Sequence, residues 1–128
     1  MARTLTITTD GQVRINDWPG DGQLLDHLYA EIETDLVTTV PLPDGKTMWA
    51  DDEALFKPDP QINTLGVKLL GTWGELVNYV YGTVVIDGGV TEEGESIPLT
   101  DEEAEALRAR LAELALQPLP ELVAPSWF

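Results

Sequence analysis

No cysteine occurs in the 128 residues. That excludes disulfides, zinc–thiolate sites and cysteine nucleophiles, and it fits a reducing cytosol. Histidine is almost as scarce: His27 stands alone, with no Ser or Cys nucleophile motif around it, and is expected to be a structural, surface or half-buried side chain. No G-x-S-x-G, Walker, Rossmann or zinc signature is present. Neither an enzyme nor a cofactor is expected. Catalysis by paired carboxylates ranks last, because so many acids generate chance pairs. Long apolar runs are also missing; none approaches the roughly 20 residues of a membrane helix. The N-terminal MARTLTITTDG lacks the apolar stretch of a secretion signal, so a cytoplasmic location is expected.

Positive charge is the remaining scarcity. Seven Lys and Arg face 23 Asp and Glu, for a net charge of −16 and a pI near 4.1. Repulsion makes nucleic acid and anionic membranes poor partners, and a protein with a basic surface a good one. Acidic surfaces also serve solubility alone. Hydrophobic residues at 43% and charged ones at 23% suit a folded chain of one domain.

What is present predicts an α+β domain over residues 1–117, followed by a proline-bearing tail at 118–128. Residues 3–16 have the alternation of a β-hairpin with one wet face, Leu5 and Ile7 pointing inward. Residues 23–33 have helical spacing, with Leu25, Leu28 and Ile32 on one face and Asp21 available as a cap. Residues 36–42 and 47–50 form a second hairpin around Pro43-Asp44-Gly45-Lys46, with Leu36, Val40 and Leu42 on one face. Pro58 and Pro60 forbid a regular element, and a short helix at 62–70 follows, with Leu65 and Leu69 in step. Residues 76–90, rich in β-branched and aromatic side chains on both faces, predict a central strand. Thr100 and Glu103 form the S/T-x-x-E box opening a helix whose stripe is Ala104, Leu107, Leu111 and Leu114. The result is an antiparallel or mixed sheet of four to five strands with two or three helices mainly on one face.

Residues 36–107 carry Thr47-Met48-Trp49 on a hairpin, Asn63, the strand Tyr81-Gly82-Thr83-Val84-Val85-Ile86-Asp87-Gly88, an acidic loop and Leu99-Thr100-Asp101-Glu102-Glu103. In these features the chain resembles a family of domains of unknown function found in small phage and mobile-element proteins of bacteria. The resemblance implies a small accessory protein of a virus or plasmid, and it transfers no catalytic residue.

Two sets of residues stand out as candidate sites. Glu92, Glu93, Glu95, Asp101, Glu102, Glu103 and Glu105 place seven carboxylates close together, and no basic residue intervenes between Lys68 and Arg108. They predict a face for a basic host protein, in the sharper form occluding that protein's nucleic-acid-binding site; the bland reading is a solvated loop and an ordinary helix start. Trp49, Asn63, Trp73, Tyr79 and Tyr81 could instead wall an aromatic pocket for a small molecule or nucleotide signal. Residues 87–95 lack the alternating spacing of a calcium loop, and no metal site is expected. Trp127-Phe128 would either dock on the domain or anchor a partner.

Overall fold

The structure, a computed structural model, describes residues 2–20, 22–72 and 79–119. The first hairpin joins β1 (Ala2–Ile7) to β2 (Val13–Asp17), and α1 (Leu24–Ile32) follows. The second hairpin joins β3 (Val37–Pro41) to β4 (Thr47–Asp51). A 3-10 turn (Ala54–Phe56) and α2 (Thr64–Gly71) lead to β5 (Val84–Asp87). The short strands β6 (Gly89–Val90), β7 (Ser96–Ile97) and β8 (Leu99–Thr100) precede α3 (Asp101–Leu114).

The main sheet runs β2-β1-β5-β4-β3, and β8 adds to the end of β1. Every pairing is antiparallel. β5 lies at the centre, as its residue types predict, but the strand itself spans only Val84–Asp87. The expected longer strand is cut short. Gly82 takes φ +80, Tyr81 makes a single bridge to Ile62, and after Gly88 the chain turns into a separate β6–β7 hairpin. Residues 76–78 of that expectation lie outside the described residues.

Strand alternation sends Leu5, Ile7, Met48, Val84 and Ile86 to one face, where α2 and α3 cover them with Leu65, Leu69, Ala104, Leu107 and Leu111. The other face holds Val85 and Trp49 under α1. Two helices therefore share one face and the third takes the opposite one. This arrangement corrects the expected wet face of the first hairpin: Thr4 and Thr6 are fully buried. Their hydroxyls accept hydrogen bonds from Asn16 Nδ2, at 3.2 and 2.8 Å, and Thr4 also meets His27 Nε2 at 3.0 Å. His27 is thus half-buried.

Two stripe assignments shift as well. α1 buries Leu28 and Ile32 with Leu24 packed beside them, whereas Leu25 is exposed. Val40 and Leu42 reach the main core, but Leu36, just before β3, is exposed. Asp21, the expected cap of α1, lies outside the described residues; the N-cap is Gln23 and makes no side-chain capping bond. α3 forms as its sequence predicts. Thr100 Oγ1 accepts from Glu103 N at 3.1 Å, and Glu103 Oε1 accepts from Thr100 N at 2.9 Å.

Candidate partner-binding site

The acidic loop becomes the tip of the β6–β7 hairpin, and close backbone packing fixes where that hairpin points. A Cβ on Gly88 would stand 2.2 Å from Pro98 O, and one on Gly89 2.0 Å from Gly45 O. Both glycines let neighbouring backbone approach where any side chain would collide. The Asp87 carboxylate locks the same bend. Oδ1 accepts from Gly89 N at 2.9 Å and Oδ2 from Trp49 Nε1 at 2.8 Å. Burial pushes the Asp87 carboxyl above the usual carboxylate range, against the pull of those two donors.

At the tip, Thr91 N donates to Glu95 O at 2.8 Å and Glu95 N to Thr91 Oγ1 at 3.1 Å, leaving Glu92, Glu93 and Glu95 exposed. At the start of α3, Asp101 pairs with Arg3 at 2.8 Å and Glu103 with Lys46 at 3.6 Å; Glu105 pairs with Arg108 at 3.6 Å. The Arg3 guanidinium holds the Asp101 carboxyl below its ordinary range. The Thr100 N–H, aided by Lys46, does so for Glu103. Three of the seven predicted carboxylates are thus paired. Glu92, Glu93, Glu95 and Glu102 have no basic partner among the described residues.

Arg3 also pairs with Asp17, and Lys46 also with Asp44 at 3.0 Å, so both cations at this end of the sheet are already shared between acids. Across the whole chain the charge is dilute: −16 over 7648 Å² is one net charge per about 480 Å², against about 100 Å² for duplex DNA. The surface as a whole therefore falls well short of a nucleic acid's charge density.

Among the described residues, Trp49, Asn63, Tyr79 and Tyr81 do not line one common cavity. Trp49 lies on the α1 face of the sheet, with its N–H committed to Asp87. Asn63 is wholly buried and fully used: Nδ2 donates to Ile7 O and Gly82 O, and Oδ1 accepts from Gly66 N, each at 2.9 Å. Tyr79 and Tyr81 do line a common groove of about 250 Å³, with Leu55, Phe56, Val40 and Ala50. Trp73, and Trp127-Phe128 of the tail, lie outside the described residues. Among the described residues, no three His, Asp or Glu side chains are grouped to hold a metal ion, and no helix is long and apolar enough to cross a membrane.

A cluster around Asp51 escaped the sequence reading. Its side chain is 3% exposed, with Oδ2 at 2.6 Å from Lys57 Nζ and Oδ1 accepting from Thr34 Oγ1 at 2.7 Å and Glu53 N at 2.9 Å. Burial alone would raise this carboxyl, but Lys57, Thr34 and Glu53 together hold it below the ordinary range. Lys57 Nζ also donates to Glu33 O, at the C-terminal end of α1, at 2.8 Å. The one signal in the sequence was Leu55-Phe56, an apolar pair stranded between acids and prolines.

No match was found among curated proteins or solved structures. The family described as "domain of unknown function (DUF3846)" matches residues 2–112, which takes in every strand and nearly all of α3. On that match, the chain belongs to the DUF3846 family.

Proposed function

We propose that this protein binds a basic protein partner through the β6–β7 tip and the start of α3. The observation that carries the reading is the set of four exposed carboxylates, Glu92, Glu93, Glu95 and Glu102, without basic partners among the described residues. Glu92, Glu93 and Glu95 sit on a hairpin whose direction is fixed by the Gly88 and Gly89 contacts, and Glu102 sits in the first turn of α3. Fixed charges give up less conformational freedom on binding than charges on a free loop, and they steer a cationic partner from a distance. In the phage or mobile-element setting that the sequence resemblance suggests, the partner is a host protein, and its covered surface is one that otherwise holds nucleic acid.

The experiment compares the wild-type chain with a variant carrying Glu92→Gln, Glu93→Gln, Glu95→Gln and Glu102→Gln as bait in a bacterial lysate at low and moderate salt. A basic protein retained by the wild type, released as salt rises and missed by the variant supports the reading. Equal retention by both baits, or no basic protein at either salt, removes it.

A further inference from the structure

At the opposite end of the sheet from the acidic hairpin, the 3-10 turn after β4 presents Leu55 and Phe56 at 64% and 86% exposure. These side chains are not on a free loop. Asp51 anchors the turn at Glu53 and at Lys57, and Lys57 ties it to the C-terminal end of α1. An aromatic ring held outward between two anchored residues marks a contact surface.

Phe56 and Tyr29 of α1 both line a cleft of about 510 Å³. Glu33, Asp35 and Glu53 also line it, and none of the three has an ion-pair partner among the described residues. The cation lining it, Lys57, is committed to Asp51 and Glu33 O. Aromatic walls with surplus carboxylates complement a cation on an apolar stem. Arginine fits better than lysine, since its planar guanidinium stacks on a ring while its N–H groups fork onto carboxylates.

We propose that the cleft between the end of α1 and the Ala54–Phe56 turn receives an arginine side chain presented by a partner protein, stacked on Phe56 and met by Glu33, Asp35 and Glu53. This surface is separate from the acidic hairpin and stands or falls independently of it.

The test titrates the full chain with an alternating glycine–arginine peptide, following backbone amide shifts by NMR, with glycine–lysine and glycine–citrulline peptides for comparison. Shifts centred on residues 29–35 and 53–57, weaker with lysine and lost with citrulline, are the expected result. Phe56→Ser, at so exposed a ring, should keep the melting temperature and lower affinity at least about fivefold. Glu53→Gln should also weaken binding, while Glu92→Gln with Glu93→Gln leaves it intact. Shifts spread over every acidic segment, or an unchanged affinity in Phe56→Ser, would overturn the proposal. So would binding seen only after residues 120–128 are removed, which would make the chain's own end the occupant. Concentration-dependent shifts at the cleft without peptide would assign it to a second copy, with the same consequence.

Discussion

The indole N–H of Trp49 reaches the buried carboxylate of Asp87 at 2.8 Å, from the neighbouring strand and one register step away on the same face. Trp49 pairs with Val85 and Thr47 with Asp87, so the contact is a diagonal one across β4 and β5. It gives a buried acid, with no ion-pair partner among the described residues, a donor for each oxygen. That bond ties the α1 face of the sheet to the bend from which the acidic hairpin leaves.

Trp49→Phe keeps most of the ring packing and deletes only the donor. At pH 7 the loss should cost about 1–3 kcal/mol, the usual penalty for orphaning a buried polar group. The pH dependence has a definite sign. The folded-state pKa of Asp87 is raised, so the native state takes up its proton before the unfolded state does. Stability therefore falls as pH rises from the unfolded value through the folded one. Removing a donor to the charged form raises that folded value further. Urea unfolding of both proteins should show a gap wide at pH 7 and narrower at about pH 4.5. A gap independent of pH would mean that packing, not the bond, had been lost.

Asp51 and Lys57 have the opposite sign. The folded-state pKa of Asp51 is lowered, so its contribution is present above the unfolded value and is lost as pH falls through the folded one. Lys57→Met should destabilise by about 2 kcal/mol at pH 7, since it strips a 3%-exposed carboxylate and the Glu33 carbonyl of their shared donor. That cost should shrink in acid as Asp51 becomes neutral. Urea unfolding at neutral pH and below about pH 4 checks it.

How much of this was legible follows from where the information sits. The capping box of α3 is local chemistry within four residues, and it formed as written. The central position of β5 was legible because Val84, Val85 and Ile86 are apolar on both faces and need cover on both. Thr4 and Thr6 were not legible as buried. A threonine looks the same in sequence whether water or a helix covers it, and only the crossing of α1 decides. In α1, Leu24-Leu28-Ile32 and Leu25-Leu28-Ile32 both fit helical spacing, and the sheet chose the first. Asp51, Asp52 and Glu53 are equivalent acids until strand parity turns one inward. Trp49 and Asn63 stand apart from the groove of Tyr79 and Tyr81 for a related reason: alternation fixes the side of a residue within its own strand, not relative to another element.

Gly89→Ala tests whether the hairpin is held by backbone contact. The position has φ +109, and an added Cβ would stand 2.0 Å from Gly45 O, a backbone atom that cannot rotate away. The β3–β4 turn or the β6–β7 hairpin has to move. A loss of about 3 kcal/mol or more is expected, from strain in the left-handed region and from the clash together. Gly94→Ala also sits at positive φ, +84, but meets nothing within 4 Å. It should cost only about 1 kcal/mol. Thermal melts of the two variants separate conformational strain from collision; equal losses would remove the claim that the hairpin is pinned.

Asn63→Asp changes one group and no shape. The amide Nδ2 faces two carbonyls, Ile7 O and Gly82 O, and joins β1 to the approach of β5, while Oδ1 holds the Gly66 N–H at the start of α2. An ionised aspartate would set a charge against both carbonyls at a site with no solvent exposure. A protonated one could still donate to only one of them. About 3 kcal/mol should be lost at neutral pH, lowering the melting temperature by roughly 10–20 °C for a domain of this size. The deficit should ease in acid, because protonation restores one donor. Asn63→Ala removes the donors and the acceptor together, so its penalty should not vary with pH. If Asn63→Asp melts within a degree or two of wild type, this amide is not the joint between the first hairpin, the central strand and α2, and its burial has to be explained by packing alone.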